Sequence, residues 1–168
     1  MNKLYIITGP AGVGKSTISK QIAERSTKSV LIEGDEIYHH VVGGYISPWL
    51  EGNHLEVFWK ACMSLIDIYL ENEYDVVFNY IIDDEELTIF KEKYKDIDKK
   101  FVCLIVDEET ILKRDKERPE DCQMKERCII LLNSFKNKTF DKKYFLDTSN
   151  LTIEDTVNEI ETNEQYNL

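Results

Sequence analysis

Residues 4–17 read LYIITGPAGVGKST, in which an apolar run leads into the pattern Gly-x-x-x-x-Gly-Lys-Ser at residues 9–16. A helical pattern follows, and this strand-to-helix context is the one in which the pattern forms a phosphate-binding loop. Glycines let the backbone turn with its N–H groups pointing inward, where they can hold polyphosphate oxygens. The first turn of the following helix adds the positive end of its dipole. The stretch therefore predicts a site for a nucleoside triphosphate.

The residues of this loop have separate expected roles. We expect Lys15 to reach the β and γ phosphates and the Ser16 hydroxyl to bind Mg²⁺. The cofactor-binding residues predicted within the loop are Gly9, Gly12, Val13, Gly14, Lys15, Ser16 and Thr17.

Size and charge restrict the class of protein. A chain of 168 residues is enough for a single hydrophobic core, and we predict one domain over residues 1–168. The net charge of −11 argues against nucleic acid as a partner, because affinity for that polymer comes mostly from clustered Lys and Arg.

The cysteines and the N-terminal segment favour a reduced, cytoplasmic protein. No C-x-x-C pair occurs among Cys62, Cys103, Cys122 and Cys128. A metal site that joins Cys122 and Cys128 to His39 or His40 is not expected, because the usual ligand spacing is missing. Neither secretion nor membrane insertion is expected, since the N-terminus has no basic head or apolar signal core and no apolar run approaches ~18 residues.

Five short β-type runs alternate with helical patterns, at residues 4–8, 30–33, 76–80, 101–106 and 143–146. Strands separated by helices indicate parallel crossovers, and most of these runs are apolar on both faces, as in a sheet covered on each side. The predicted fold class is therefore α/β, a three-layer α/β/α sandwich around a parallel sheet.

Helix starts can be read from capping residues. A helix is predicted after Asn53, with Glu56 three residues on in a capping-box arrangement, and others after Asp83 and from Thr152, with Asp155 at its third position. We assign three aromatic residues of the helical stripes to packing rather than to a ligand, namely Phe58, Phe90 and Phe135.

Polar residues follow the strands at the edge where an open parallel sheet binds its ligand. Asp35 comes after the second strand and is the candidate general base and a second candidate Mg²⁺ ligand, although it could also cap a helix, and the two roles are compatible. Glu33 could be the base instead. Asn79 and Tyr80 follow the third strand and are predicted to contact the substrate, as is Glu33.

The segment 41–49 breaks the alternation, with two glycines, a proline and aromatic residues. It is interpreted as a functional loop, and the alternative is a hydrophobic turn that covers the edge of the sheet. The aromatic residues predicted to shape an acceptor pocket are Tyr38, Tyr45, Trp49 and Tyr80. Such a pocket fits a sugar-like ring, an apolar metabolite or an antibiotic better than a highly anionic acceptor.

A basic stretch stands out in this acidic chain, at about residues 114–127, and we interpret it as a lid that closes over the phosphates. Arg114, Arg118 and Arg127 are the candidates to neutralise charge on the transferred phosphoryl group. The alternative is a solvated helix face in which the arginines pair with Asp115, Glu117 and Glu126.

Together these motifs resemble the small-molecule kinases of the phosphate-loop class, the group containing chloramphenicol phosphotransferase, gluconate kinase, shikimate kinase and adenylyl-sulfate kinase. The resemblance spans nearly the whole chain, and its four parts are residues 9–17, Gly34-Asp35, the lid and residues 147–152. It implies a five-stranded sheet of order 2-3-1-4-5, ATP with Mg²⁺ and an acceptor near Asp35. It also implies that the adenine lies between the base of the lid, at Arg114, and the loop around Ser149 and Leu151.

Two finer points come from the same resemblance. Residues 32–35 with 42–45, Pro48 and Trp49 are similar to a bacterial branch usually labelled gluconate-kinase-like, a label that names no proven substrate. Asn79 departs from the class, because many phosphate-loop proteins carry an Asp near this position to hold the Mg²⁺ water shell. Metal binding would then fall more heavily on Ser16 and Asp35.

The sequence therefore predicts an ATP-dependent kinase that phosphorylates a hydroxyl of a small molecule and acts as a monomer or homodimer. Its catalytic residues would be Lys15, Asp35, Arg114, Arg118 and Arg127. Two alternatives stay open: a regulatory nucleotide-binding protein with weak ATPase activity, and a nucleoside or nucleotide kinase.

Overall fold

A computed structural model describes residues 2–120 and 123–168. Five parallel strands form one sheet in the order β2-β3-β1-β4-β5, which confirms the predicted order and fold class. The strands are β1 Lys3–Thr8, β2 Ser29–Glu33, β3 Asp75–Asn79, β4 Asp98–Ile105 and β5 Phe145–Asp147.

Seven helices of the described residues surround the sheet, namely α1 Lys15–Arg25, α2 Gly34–Tyr38, α3 His54–Glu71, α4 Asp84–Lys93, α5 Glu108–Lys116, α6 Glu126–Lys136 and α7 Ile153–Thr162. None of them is long and apolar enough to cross a membrane.

Two separate hydrophobic cores give the molecule its three layers. Successive residues of β1 point to opposite faces, so that Leu4 and Ile6 join the core under α3 and α4, while Tyr5 and Ile7 join the core under α1 and α7. The three phenylalanines assigned to packing are buried in these cores, as predicted: Phe58, Phe90 and Phe135.

The first three strands differ from the predicted ranges by one residue at one or both ends, whereas β4 and β5 differ by more, for identifiable reasons. β4 begins at Asp98 rather than at residue 101 because Lys99 and Lys100 are buried strand residues. The Lys100 ammonium donates to the carbonyls of Ile160, Glu161 and Asn163 at the end of α7, each at 2.9 Å. These hydrogen bonds compensate for burying the positive charge of Lys100, which would otherwise be unfavourable in a core. β5 begins only at Phe145, since residues 142–144 form a short 3₁₀ helix.

All three helices begin where their capping residues predicted, but the capping box expected at α3 does not form. At α7 the Thr152 hydroxyl accepts from the Asp155 N–H at 3.0 Å, and α4 begins after Asp83 as predicted. At α3 the Asn53 side chain makes no capping hydrogen bond. Glu56 instead pairs with Lys60 one turn further on, at 2.6 Å, and this exposed pair competes for its carboxylate.

The cysteines that the structure describes, Cys62, Cys103 and Cys128, are free and buried. Cys122, which entered the disfavoured metal site, lies outside the described residues, as does Asp121 in the predicted lid.

Two glycines allow close approaches that position the loops at the carboxyl edge of the sheet. A Cβ on Gly9 would lie 2.4 Å from the carbonyl oxygen of Leu104, and Gly9 has a φ of 139°. A Cβ on Gly34 would lie 2.5 Å from the ring of Tyr80. The first glycine therefore seats the phosphate-binding loop on β4, and the second seats α2 against the end of β3.

We predict that Gly9→Ala lowers the free energy of unfolding by about 2–4 kcal/mol, because the new methyl group must displace backbone and the φ is unfavourable for alanine. Urea denaturation followed by circular dichroism measures this change. The matched control is Gly43→Ala, where nothing lies within 4 Å of the added Cβ and which should change the value by less than ~0.5 kcal/mol. Equal effects of the two substitutions would contradict the packing argument.

Candidate functional site

The phosphate-binding loop connects β1 to α1, which begins at Lys15 as the pattern predicted. Gly12 and Gly14 have φ values of 88° and 101°, a region open to glycine, and they let the loop turn back over the first residues of α1. The Lys15 ammonium donates to the carbonyls of Gly9 and Pro10, at 2.9 and 3.1 Å. The Lys15 side chain therefore folds back over the start of the phosphate-binding loop.

Three of the predicted catalytic groups influence one another at this point. Burial lowers the pKa of Lys15 to about 8, the negative charge of Asp35 opposes this shift, and the positive charge of Arg118 adds to it. Asp35 and Arg118 are therefore both near enough for their charges to act on Lys15. The three residues reach this point from α1, α2 and the residues after α5.

The residues predicted to contact an acceptor lie where β2 and β3 end. Asp35 lies in the first turn of α2 with its side chain exposed. It is not a helix cap, because α2 already begins at Gly34 after Glu33, so that alternative is wrong. Glu33 accepts from the side-chain amide of Asn79 at 3.4 Å, and Asn79 is only 4% exposed. The predicted substrate residues Glu33 and Asn79 therefore bind each other.

Tyr80 connects this edge to the aromatic residues of α2 and α3. Its ring packs on Gly34 and lies 4.6 Å from the ring of Phe58. Burial and, secondly, the charge of Asp35 raise the pKa of Tyr80. Tyr80 is therefore a buried residue near Asp35, and its hydroxyl stays protonated at neutral pH.

A cavity of about 330 Å³ lies beside the phosphate-binding loop, on the side of β5. It is lined by several of the predicted nucleotide-binding residues: Val13, Gly14, Thr17, Arg114 and Leu151. Ser149 does not line it and instead donates to the Asp147 carboxylate at 2.5 Å and accepts from the Asp107 N–H at 2.8 Å. Sequence reasoning missed Thr148 and Glu117, which do line the cavity. The position of Thr148 directly after β5 was the available signal.

Arg114 is attached to the loop itself. Its guanidinium donates to the carbonyl of Val13 at 2.7 Å, across 101 residues of sequence. The base of the predicted lid is therefore fastened to the phosphate-binding loop, with the cavity between them.

Asp115 organises the rest of the lid, a role that the sequence did not indicate. Its carboxylate is 3% exposed and accepts from the N–H groups of Met124 and Lys125, at 3.0 and 2.7 Å. The Met124 N–H is the main reason that the pKa of Asp115 is lowered. Arg118 approaches the same carboxylate at 3.6 Å. Sequence reasoning considered Asp115 only as a partner for arginine.

Arg127 meets the segment 41–49 from the other side of the crevice. Its guanidinium lies 5.5 Å from the ring centroid of Trp49, which is 71% exposed. Val42 in the same segment is 93% exposed. Of the predicted aromatic residues, Tyr38 and Tyr80 are buried while Tyr45 and Trp49 are exposed.

The donor groups present would suit a magnesium ion that is shared with phosphate oxygens. Within residues 2–120 and 123–168 there is no cluster of three His, Cys, Asp or Glu that could hold a metal alone. Ser16, in the first turn of α1, and Asp35, across the crevice, are both exposed. Oxygen ligands that leave most of the coordination shell to water and phosphate are what Mg²⁺ usually takes.

Comparison with known proteins identifies the family and the fold. Residues 6–139 match the family model described as an AAA domain. The structure is similar to the tunicamycin resistance protein of Deinococcus radiodurans, with a TM-score of 0.69, 18% identity and coverage of 95% of this chain and 94% of that chain. No curated protein sequence matches the chain.

Two further solved structures have the same fold. A sugar kinase from Janibacter sp. HTCC2649 gives a TM-score of 0.68, 13% identity and coverage of 95% of this chain and 92% of that one. A gluconokinase from Sinorhizobium meliloti 1021 gives 0.67, 17% identity and coverage of 94% and 89%. At these identities the likeness shows the fold.

We predict that Asp115→Ala lowers the free energy of unfolding by about 2 kcal/mol at pH 7, since two backbone N–H groups lose a charged acceptor. Because the folded-state pKa is lowered, this contribution is present above the ordinary carboxyl pKa and is lost as the pH falls through the lowered value. Hydrogen exchange should accelerate at Met124 and Lys125. The control, Glu109→Ala on the exposed face of α5, should leave both measurements unchanged, and unchanged exchange in Asp115→Ala would contradict the assignment.

Proposed function

The chain belongs to the AAA-domain family, and from this premise we propose that it is an ATP-dependent kinase that transfers a phosphoryl group to a hydroxyl of a small molecule. One observation carries the proposal. Asp35 lies exposed in the first turn of α2, and its negative charge acts on Lys15, whose ammonium donates to the carbonyls of Gly9 and Pro10 in the phosphate-binding loop. A kinase uses a carboxylate here to take the proton of the acceptor hydroxyl, a step that a switch or a simple binding module does not perform.

The chemistry assigns each group a role. The acceptor oxygen attacks the γ phosphorus, the bond from that phosphorus to the bridging oxygen of ADP breaks, and ADP leaves. Asp35 orients the acceptor hydroxyl and takes its proton. Lys15 and Arg118 stabilise the charge on the transferred group, and Arg114 holds the loop that surrounds it. Arg127 would join them when the lid closes.

ATP and Mg²⁺ are part of the same proposal. The triphosphate would lie in the loop, with the base in the 330 Å³ cavity between Arg114 and Leu151. Ser16 and Asp35 would hold Mg²⁺, which when bound neutralises charge on the β and γ oxygens.

A sugar-like compound or an antibiotic is the proposed acceptor. The similar structures include a sugar kinase, a gluconokinase and a tunicamycin resistance protein, and their names agree with an acceptor of that size. The aromatic residues beside Asp35, such as Tyr80, support a ring-bearing acceptor. We also propose that the protein is cytoplasmic, that residues 1–168 form one domain, and that it acts as a monomer or homodimer.

A panel of hydroxyl metabolites and antibiotics with γ-labelled ATP tests the reaction. Label transferred to an acceptor supports a kinase. Label released only as free phosphate, independent of acceptor, would instead support a regulatory ATPase. A nucleoside included in the panel tests whether the acceptor is a nucleoside.

We predict that Asp35→Asn lowers kcat for acceptor phosphorylation about 10²–10⁴-fold, because the amide cannot take the hydroxyl proton. ATP-dependent thermal stabilisation should persist in this variant, whereas Lys15→Ala should abolish it. Glu36→Gln, which changes the neighbouring exposed carboxylate, is the control and should keep wild-type turnover.

Glu33→Gln separates the two candidate bases. Full turnover in Asp35→Asn together with loss in Glu33→Gln would transfer the role of base to Glu33.

A further inference from the structure

A second cavity, of about 370 Å³, lies outside the crevice between α2, the segment 41–53 and the start of α3. None of the described residues that line it is Lys, Arg, Asp or Glu, which is unusual in a chain with a net charge of −11. Its walls are apolar and aromatic, with Ile37, Tyr38, Tyr45, Val57 and Phe58 among them. An uncharged ligand is therefore the chemistry that the cavity accepts.

The aromatic rings that form one wall are fixed in place. Tyr38 lies 5.6 Å from Tyr45 and 5.3 Å from Phe58 in edge-to-face geometry. The Tyr38 hydroxyl donates to the carbonyl of Ile46 at 2.6 Å, which ties α2 to the segment above the cavity. A flat ring entering the cavity would meet ring faces and edges whose positions are already set.

His54 supplies a polar group that has no hydrogen-bond partner among the described residues. Both of its ring nitrogens are buried, and the imidazole lies beside Tyr38 in the lining of the cavity. A neutral imidazole has one donor and one acceptor, and burying both without partners is unfavourable. Because both nitrogens are covered, rotation of the imidazole toward the cavity would let a ligand hydroxyl, which can both donate and accept, satisfy one of them.

The cavity is close to the proposed reaction centre. Tyr38, in its wall, follows Asp35 by three residues on α2, so the two side chains lie on one side of the helix about one turn apart. Phe58, in the same wall, contacts Tyr80, whose pKa is raised in part by Asp35. A molecule held in the cavity would therefore be separated from the Asp35 carboxylate by one layer of aromatic side chains.

We propose that this cavity binds the uncharged, ring-bearing part of the phosphoryl acceptor, and that His54 hydrogen-bonds a polar group on it. The proposal rests on the proposed function and adds to it a class of acceptor: an amphipathic alcohol with a flat apolar ring. His54 is a specificity-determining residue in this scheme.

The uncharged fluorescent probe N-phenyl-1-naphthylamine tests the site without ATP or a known acceptor. Wild-type protein should bind the probe with increased fluorescence. Ala61→Trp, which places an indole at the exposed rim of the cavity, should lower the affinity at least tenfold. Ile68→Trp, on the same helix but outside the cavity, should bind as the wild type does. Absence of wild-type binding, or equal binding by Ala61→Trp, would overturn the proposal.

Displacement of the probe by 2-naphthol and by naphthalene tests His54. The wild type should prefer 2-naphthol about tenfold, which corresponds to one hydrogen bond. His54→Phe should remove this preference, and His54→Gln, which retains a donor and an acceptor, should restore part of it. An undiminished preference in His54→Phe would exclude His54 as the polar anchor. Thermal unfolding of each variant verifies that it is folded.

The link to catalysis is measured separately. For a ring-bearing acceptor that the wild type phosphorylates, Ala61→Trp should raise KM at least tenfold while ATP-dependent thermal stabilisation stays unchanged. An unchanged KM would overturn the assignment to the acceptor. If the wild type phosphorylates nothing, the proposed function fails, but the naphthol measurements still decide whether the cavity is a binding site.

Discussion

The contact between the backbone of Gly9 and the carbonyl of Leu104 is the constraint on which the site depends. It seats the phosphate-binding loop on β4 with no room for a side chain between them. With the loop in this position, Lys15 reaches the carbonyls of Gly9 and Pro10, and Arg114 reaches that of Val13. The first helix and the base of the lid are thus aligned by a single backbone contact with the central sheet.

Cationic side chains lie at the crevice although the chain as a whole has a negative net charge. A net charge of −11 would repel a triphosphate, yet the groups nearest the loop are Lys15, Arg114 and Arg118. Burial makes the Lys15 ammonium easier to deprotonate, and Asp35 counteracts this. The Asp115 carboxylate accepts hydrogen bonds from backbone N–H groups and in this way fastens the lid.

Local patterns in the sequence were sufficient for the α/β/α class and for the turn from β1 into α1, while the strand order came from the resemblance. The alternation of strands and helices, the loop pattern and the capping residues at Thr152 each depend on neighbouring residues, and all three were predicted. Contacts between residues that are far apart in the sequence were not predicted. The bond from Arg114 to Val13 spans 101 residues, and the buried amine of Lys100 finds its acceptors 60 residues away. Ser149 was predicted from resemblance, while its hydroxyl bonds to the neighbouring Asp147 and to Asp107, 42 residues away.

The cation–π contact between Arg127 and Trp49 connects the end of the lid to the segment 41–49, on the other side of the crevice. Trp49 is 71% exposed, and a cation–π contact at an exposed site contributes only about 0.5–1 kcal/mol. The lid and the segment 41–49 can therefore separate at little energetic cost, and the contact favours their approach without locking it.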